Sequence, residues 1–134
     1  MRKACGFTLL ELMLVVIIIG VLVAMVAPRL TGRAEEARMN AAKTDIHANI
    51  ATALDLYEFD VGYFPQDLKE LWEKPASPPP SYRGPYLKRP IGNDPWGTPY
   101  AYTQQGSGKG YTLVSYGPNR TSGDQDDIKA EIVP

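Results

Sequence analysis

The longest apolar run of the chain covers residues 7–26, and only Thr8, Gly20 and Glu11 interrupt it. Twenty residues of α-helix rise about 30 Å, which is the hydrocarbon thickness of a bilayer. The run therefore predicts a helix that spans a membrane. Glu11 lies near one end of this helix, and because a carboxylate within lipid is costly, we expect it to need a partner.

A second pattern extends from about residue 31 to about residue 60, where apolar positions recur at spacings of three and four. The stripe comprises Ile46, Ile50, Ala53, Leu54, Tyr57 and Val61. This periodicity predicts an amphipathic helix whose apolar stripe is covered by a sheet. Gly62, which follows the stripe directly, predicts where the helix ends.

Pro28 separates the two patterns. Proline removes a helical hydrogen bond, so either one long helix is broken or bent at this residue, or the membrane helix ends there. Residues 34–43 are good helix formers, which favours continuation. Pro28 is therefore the expected break in a helix that continues to about residue 61.

The chain beyond this helix is rich in turn-forming residues and predicts short elements. We expect a short helix at residues 66–73, a loop over the prolines of residues 74–81 and a short extended piece at residues 86–89. Two β-rich runs, at residues 100–103 and 111–116, flank a connection rich in Gly and Ser, which predicts a β-hairpin. The predicted fold class is therefore α+β.

Composition narrows the classes of function. The formal net charge is −1, and this near-balance gives no reason to expect a nucleic-acid partner. The chain has one cysteine, Cys5, and one histidine, His47. A zinc site or a nucleophilic triad has little to draw on, so we expect no enzyme activity. His47 is expected to be a surface or interface residue and not a ligand.

The residues ahead of the apolar run indicate how the run is processed. A short basic region precedes it, Cys5 also lies before it, and no clear Ala-x-Ala pattern follows it. These features disfavour an ordinary secretory signal and exclude a lipoprotein signal. Two interpretations remain open: cleavage ahead of the run, between Gly6 and Phe7, or an uncleaved anchor in which Glu11 is incidental.

Residues 6–11, Gly-Phe-Thr-Leu-Leu-Glu, resemble the processing signal of type IV pilins and type II secretion pseudopilins. In that family a prepilin peptidase cleaves after the glycine and methylates the new amino terminus, which here is Phe7. The resemblance implies a leader at residues 1–6 and an ion pair between the α-amino group of Phe7 and Glu11 of a neighbouring subunit. Pairing offsets part of the cost of each charge in lipid, so Phe7 and Glu11 are expected to be assembly residues.

Two runs in the soluble half resemble the major pseudopilin of type II secretion: Asp-Pro-Trp-Gly-Thr-Pro-Tyr at residues 94–100, and Tyr-x-Leu-x-Ser-x-Gly at residues 111–117. The resemblance implies a type IV pilin-like fold, in which a long N-terminal helix packs on a small antiparallel sheet with a C-terminal loop. Trp96 is expected to pack in the core or anchor a loop. The implied parts are a transmembrane and polymerisation helix at 7–27 and a periplasmic domain at 28–134, which divides into an amphipathic helix at 28–61 and the loops and hairpin of 62–134.

The resemblance implies a structural subunit of a periplasmic pseudopilus, which drives export of folded proteins across the outer membrane. The implied partners are further copies of the chain, minor pseudopilins, prepilin peptidase, the inner-membrane assembly platform and membrane lipid. The implied location is the bacterial inner membrane, crossed once, with the C-terminal domain in the periplasm. Three alternatives remain open: a type IV pilin for motility, adhesion or DNA uptake, an anchored calcium-dependent binding module that does not polymerise, and an anchored hydrolase.

The last informative stretch is an acidic, Gly-containing loop at residues 116–127. Asn119, Asp124, Asp126 and Asp127 supply the hard oxygens that calcium prefers, although their spacing is not that of an EF-hand. From the residues alone, a calcium site and a solvated acidic loop both remain open. The resemblance implies calcium, with Asn119, Asp126, Asp127 and the carbonyl of Tyr116 as ligands and Asp124 in or beside the site. The family usually has aspartate where this chain has Asn119, and the lost charge is expected to weaken the site.

Overall fold

Helix occupies most of the first half of the chain. In the computed structural model, α1 spans Leu9–Thr44, a π-helical segment spans Asp45–Ile50 and α2 spans Ala51–Val61. The structure describes the backbone of residues 6–134, and it describes side chains except those of residues 27–31. The part of the leader ahead of Gly6 lies outside the described residues. The chain forms two compact units, one that ends at Ala37 and one that spans Arg38–Pro134.

α1 continues through Pro28 without interruption. The expectation of a continuing helix is confirmed, and the alternative in which the membrane helix ends at this proline is wrong. The expected break at Pro28 therefore does not divide the helix into two. A bend at that residue stays a prediction.

The predicted apolar stripe faces the core of the second unit. Its buried members are Ile46, Ile50, Ala53, Leu54 and Tyr57, and Val61 is half-buried. α2 ends as predicted at Gly62, which has φ +88° and donates its N–H to the carbonyl of Glu58 at 2.7 Å. Glycine adopts this left-handed conformation without steric penalty, so it closes the helix.

The π-helical segment Asp45–Ile50 was not predicted. Ala42, Ile46 and Ile50 follow one another at spacings of four, and all three are buried. Each residue of an α-helix turns by about 100°, so a spacing of four drifts by about 40° at every step. A π-helical turn contains more residues and turns less per residue, which reduces this drift. The same spacing continues from Ile50 to Leu54 within α2, so the sequence pattern does not distinguish the π-helical segment from α-helix.

Three antiparallel strands form one sheet in the order β1-β2-β3: β1 spans Ala101–Gln105, β2 spans Gly110–Ser115 and β3 spans Ile128–Ile132. The predicted hairpin of β1 and β2 is confirmed. β3 was missed, because the chain beyond residue 116 was expected to be loop. Its apolar positions alternate with Lys129 and Glu131, and this period of two is the signal that indicates a strand.

The sheet covers the helix, as the α+β prediction requires. β2 and β3 contact the π-helical segment, and Leu113 and Ile128 join Ile46 and Ile50 in one apolar core. Burial of such side chains is the main favourable contribution to folding. The stripe on the helix therefore has the partner that its periodicity predicts.

Two short elements differ from prediction. The predicted short helix is a single 3-10 turn, Leu68–Leu71. The extended piece predicted at residues 86–89 is wrong, because the N–H groups of Tyr86 and Leu87 both donate to the carbonyl of Leu71, at 2.7 and 2.8 Å. Two consecutive donors that share one acceptor do not form a strand ladder, so this segment folds as a loop.

The turn before β1 is held by the buried carboxylate of Asp94. Its Oδ1 accepts the N–H of Trp96 at 3.1 Å and the N–H of Thr98 at 2.7 Å, while its Oδ2 accepts the hydroxyl of Ser115 at 2.6 Å. Trp96 is buried, which confirms its predicted packing role. His47 is exposed, as predicted for a surface residue.

Candidate functional site

The start of the apolar helix carries reciprocal hydrogen bonds between Thr8 and Glu11. Thr8 directly precedes α1 and stands at its N-cap position. Its N–H and its hydroxyl donate to Oε2 of Glu11, at 2.9 and 3.0 Å, and the N–H of Glu11 donates to the Thr8 hydroxyl oxygen at 3.2 Å. This arrangement is a capping box, which satisfies backbone donors that the first turn of a helix leaves free.

The capping box gives Glu11 a partner within its own chain, and the sequence analysis missed it. The signal was the Thr-x-x-Glu spacing ahead of an apolar run. Neutral donors do not remove the negative charge of an ionised carboxylate, so within lipid Glu11 still attracts a cationic group. The capping box therefore holds the carboxylate at the first turn of the helix, four residues after Phe7.

The predicted cleavage site precedes the helix. Gly6 and Phe7 are exposed, and neither belongs to a helix or a strand. Exposed, irregular segments are the preferred substrates of peptidases. The peptide bond between these two residues therefore has the accessibility that processing requires.

The apolar helix presents a continuous exposed surface among the described residues. Leu9–Val26 has a mean hydropathy of 3.1, and no described residue in it is buried. By length and composition, it is the one helix among the described residues that can cross a membrane. An apolar surface of this size needs a cover of lipid or of other apolar helices.

The predicted calcium loop connects β2 to β3. Ser115 pairs with Ile128 at the strand ends, so residues 116–127 leave the sheet and return to it. Gly117 has φ +65°, and a Cβ at this position would lie 2.6 Å from the carbonyl oxygen of Asp126. The two sides of the loop therefore approach closely just beyond the sheet, where only glycine fits.

Asn119 joins the two sides of the loop further out. Its side-chain nitrogen, Nδ2, donates to Oδ2 of Asp124 at 2.7 Å and to Oδ1 of Asp126 at 2.9 Å. Its side-chain oxygen, Oδ1, accepts the N–H of Thr121 at 2.7 Å. The structure thus brings together three of the predicted ligands, Asn119, Asp124 and Asp126, around the nitrogen of the amide.

The side chain of Asp127 has different partners from this group. Its side chain is 2% exposed, and its Oδ2 accepts the N–H of Gly123 at 2.8 Å and lies 3.6 Å from the ammonium of Lys129. Its Oδ1 is buried and has no hydrogen-bond partner among the described residues. Tyr116, whose carbonyl was a predicted ligand, is half-buried at the start of the loop.

The donor set in this arrangement does not fit a calcium ion. Calcium takes six to eight oxygens, whereas Asp124 and Asp126 both face a nitrogen that donates. Among residues 6–134, no group of three or more His, Cys, Asp or Glu side chains is placed to hold a metal ion. Only the free Oδ1 of Asp127 favours a cation. Calcium binding stays a prediction.

Two family matches divide the chain between them. Residues 1–27 match the prokaryotic N-terminal methylation motif. Residues 29–133 match the family described as type II secretion system (T2SS), protein G. The chain belongs to the protein G family of type II secretion. Members of this family are known as structural pseudopilins.

Relatives of the protein G family support this membership over nearly the whole chain. The type II secretion system core protein G of Escherichia coli K12 is 42% identical, and the match covers 94% of this chain and 90% of that protein. Core protein G of Vibrio cholerae is 44% identical, with coverage of 96% and 92%. The core protein G of Pseudomonas aeruginosa is 41% identical, with coverage of 93% and 91%.

A solved structure of the protein G family shares the fold. The crystal structure of the major pseudopilin from the type 2 secretion system of enterohaemorrhagic Escherichia coli aligns with a TM-score of 0.60 and 30% sequence identity. The alignment covers 76% of this chain and 93% of that chain. The resemblance read from the N-terminal signal and from residues 94–117 is therefore confirmed, and a type IV pilin is not favoured.

Proposed function

We propose that this chain is the major structural subunit of a type II secretion pseudopilus. The observation that carries the proposal is the exposed apolar surface of Leu9–Val26, with one carboxylate, Glu11, in its first turn. Because this surface belongs to a member of the protein G family, further copies of the chain are its natural cover. The names of the relatives and of the solved pseudopilin support the same assignment.

In this proposal, a prepilin peptidase removes the leader and methylates Phe7. The bond between Gly6 and Phe7 is exposed and precedes the helix, and residues 1–27 match the methylation motif. Cleavage leaves the capping box intact, since Thr8 and Glu11 both remain in the mature chain. The mature helix therefore begins with its first turn already formed.

The new terminus supplies a cation for Glu11. An α-amino group is protonated at neutral pH, and in lipid it attracts a carboxylate more strongly than it does in water. Between two copies that are displaced along their helices, the amino group of Phe7 on one copy meets Glu11 on the next. Assembly therefore buries both charges as an ion pair and covers both apolar surfaces in the same step.

The proposed subunit crosses the inner membrane once and places the unit Arg38–Pro134 in the periplasm. Its partners are further copies, minor pseudopilins, the peptidase and the inner-membrane assembly platform, and the fibre drives export of folded proteins. The role is structural: the chemistry of the N-terminal segment is that of a peptidase substrate and of an assembly contact.

Complementation tests the proposal in a bacterium whose type II system lacks its own protein G. Expression of this chain is expected to restore secretion and to yield fibres that can be recovered once the outer membrane is opened. Glu11→Gln is expected to insert and be processed but to lower fibre yield at least about tenfold, which corresponds to about 1.4 kcal/mol. Glu36→Gln, which removes an exposed carboxylate of α1 outside the apolar span, is the matched control.

Two results would overturn parts of this proposal. Wild-type fibre yield from Glu11→Gln would remove Glu11 from assembly. Restoration of pilus-driven motility in a pilin-deficient strain, without restoration of secretion, would favour a type IV pilin.

A further inference from the structure

The amide of Asn119 occupies the position from which a cation would hold the loop of residues 116–127 together. Asp124 and Asp126 each lie within 3 Å of the same nitrogen, at 2.7 and 2.9 Å. Two carboxylates that approach one point repel each other unless a positive charge or hydrogen-bond donors lie between them. The amide supplies two donors, one for each carboxylate, so it cross-links the loop without a metal.

The orientation of this amide is determined by Thr121. The N–H of Thr121 donates to Oδ1 of Asn119 at 2.7 Å, which directs Nδ2 toward the two carboxylates. In the reversed orientation, the amide oxygen would face Asp124 and Asp126, and the NH₂ group would face the N–H of Thr121. Two of the contacts would then join two acceptors, and the third would join two donors. The reversed amide would therefore need a cation in front of its oxygen.

Further contacts hold the loop on both sides of this cross-link. Gly117 and Asp126 approach closely at its base, and Asp127 accepts the N–H of Gly123 and lies near Lys129. The guanidinium of Arg120 donates to the carbonyl of Trp96 at 2.7 Å, which ties the loop to the turn before β1. All of these contacts are made by protein groups.

We propose that Asn119 replaces a calcium ion as the cross-link of this loop, so that the domain of this protein G keeps its stability without calcium. An aspartate at residue 119 would place a third carboxylate beside Asp124 and Asp126 and remove both donors. The loop would then need a cation to close. The proposal concerns the folding of the unit Arg38–Pro134 and holds whether or not the chain polymerises.

Thermal unfolding of the full chain in detergent tests this proposal. It is recorded once with a calcium chelator and once with about 5 mM calcium, a concentration above the dissociation constants of weak extracellular calcium sites. The Tm of the wild-type chain is expected to agree within about 1 °C between the two conditions, a shift that corresponds to a small fraction of 1 kcal/mol. The Tm of Asn119→Asp is expected to fall by about 4–8 °C or more in chelator and to recover with calcium. Magnesium at the same concentration controls for ionic strength.

Gln125→Glu is the matched control for charge. It adds one negative charge to the same loop at an exposed position, and its Tm is expected to follow the wild type in both conditions. A saturable rise of several degrees in the wild-type Tm with calcium, absent with magnesium, would overturn the proposal. An Asn119→Asp chain as stable in chelator as the wild type would overturn it too. The wild-type comparison needs no variant, so it decides even if Asn119→Asp does not fold.

Discussion

Ser115 and Asp94 are joined by a buried 2.6 Å hydrogen bond, which ties the end of β2 to the turn before β1. The same carboxylate accepts two backbone N–H groups of that turn. Asp94→Ala leaves three donors without their acceptor, so we expect the free energy of unfolding to fall by roughly 3–5 kcal/mol. Denaturant unfolding of the detergent-solubilised chain measures this loss.

Ser115→Ala is the control for the Asp94 prediction. It removes one of the three donors to Asp94 and the acceptor of the Gly117 N–H, and it leaves both backbone bonds to Asp94 in place, so we expect a smaller loss of roughly 1–3 kcal/mol. Equal losses for the two variants would mean that the backbone bonds to Asp94 add nothing to stability.

Two glycines of the C-terminal loop are expected to differ in their tolerance of alanine. Gly117 and Gly123 both have positive φ, at +65° and +97°. A Cβ on Gly117 would also lie 2.6 Å from a backbone oxygen, whereas a Cβ on Gly123 meets nothing within 4 Å. We therefore expect Gly123→Ala to cost about 1 kcal/mol and Gly117→Ala roughly 2–4 kcal/mol, because only the latter displaces backbone.

Unfolding curves of the two glycine variants, recorded side by side, measure this difference. A smaller loss for Gly117→Ala than for Gly123→Ala would contradict the close approach of Gly117 to Asp126.

Features that depend on the residues of a single helix were predicted from the sequence. The apolar run of residues 7–26, the stripe from Ile46 to Tyr57 and the cap at Gly62 all belong to this class. β3 left a signal of the same kind, the short alternation of residues 128–132, which was missed, whereas no pattern of this kind distinguishes the π-helical segment from α-helix.

The arrangement of the candidate calcium loop could not be predicted in this way. The side chain of Asn119 can present either an oxygen or a nitrogen to its neighbours, and its type and position do not decide between them. The N–H of Thr121 decides, and its location depends on how the loop folds. The partner of Glu11 also depends on the local fold. Thr8 stands at a recognisable spacing from Glu11, but the reciprocal hydrogen bonds form only because α1 begins at Leu9.

Thr8 is expected to hold the first turn of the membrane helix closed. Thr8→Val removes the hydroxyl from the capping box, at a cost of about 1 kcal/mol. The N–H of Glu11 loses its acceptor, so its exchange with solvent should become about fivefold faster in detergent-solubilised protein. Thr8→Ser keeps the hydroxyl and should exchange like the wild type; the same acceleration in both variants would show that the hydroxyl is not the cause.

Stability is expected to fall in alkaline solution because of buried tyrosines. Burial, and then the hydrogen bond to Glu70 at 2.6 Å and the negative charge of Glu70, raise the pKa of Tyr57 well above its ordinary value of about 10. The folded chain therefore holds this proton more tightly than the unfolded chain does. The stabilisation is complete below about pH 10 and is lost as the pH rises from there toward the raised pKa.

Tyr57→Phe tests this alkaline loss. The variant should be less stable at neutral pH, since it lacks the bond to Glu70, but its stability should fall less steeply above about pH 10. Burial also raises the pKa of Tyr100 and Tyr102, so the fall is reduced and not abolished. Unfolding midpoints measured across the alkaline range, with Tyr116→Phe as a control outside the aromatic cluster around Tyr57, give the slopes. A slope unchanged by Tyr57→Phe would contradict the assignment.

In the proposed fibre, the amino terminus left by cleavage meets Glu11 of a neighbouring copy within the apolar core. Mass spectrometry of the N-terminal peptide, from fibres isolated from the periplasm of cells that express this chain, tests this contact. We expect a chain that begins at Phe7 and carries one methyl group on its α-amino nitrogen. Fibres built from chains that still begin at Met1 would contradict it, because Phe7 would then have no free α-amino group to pair with Glu11.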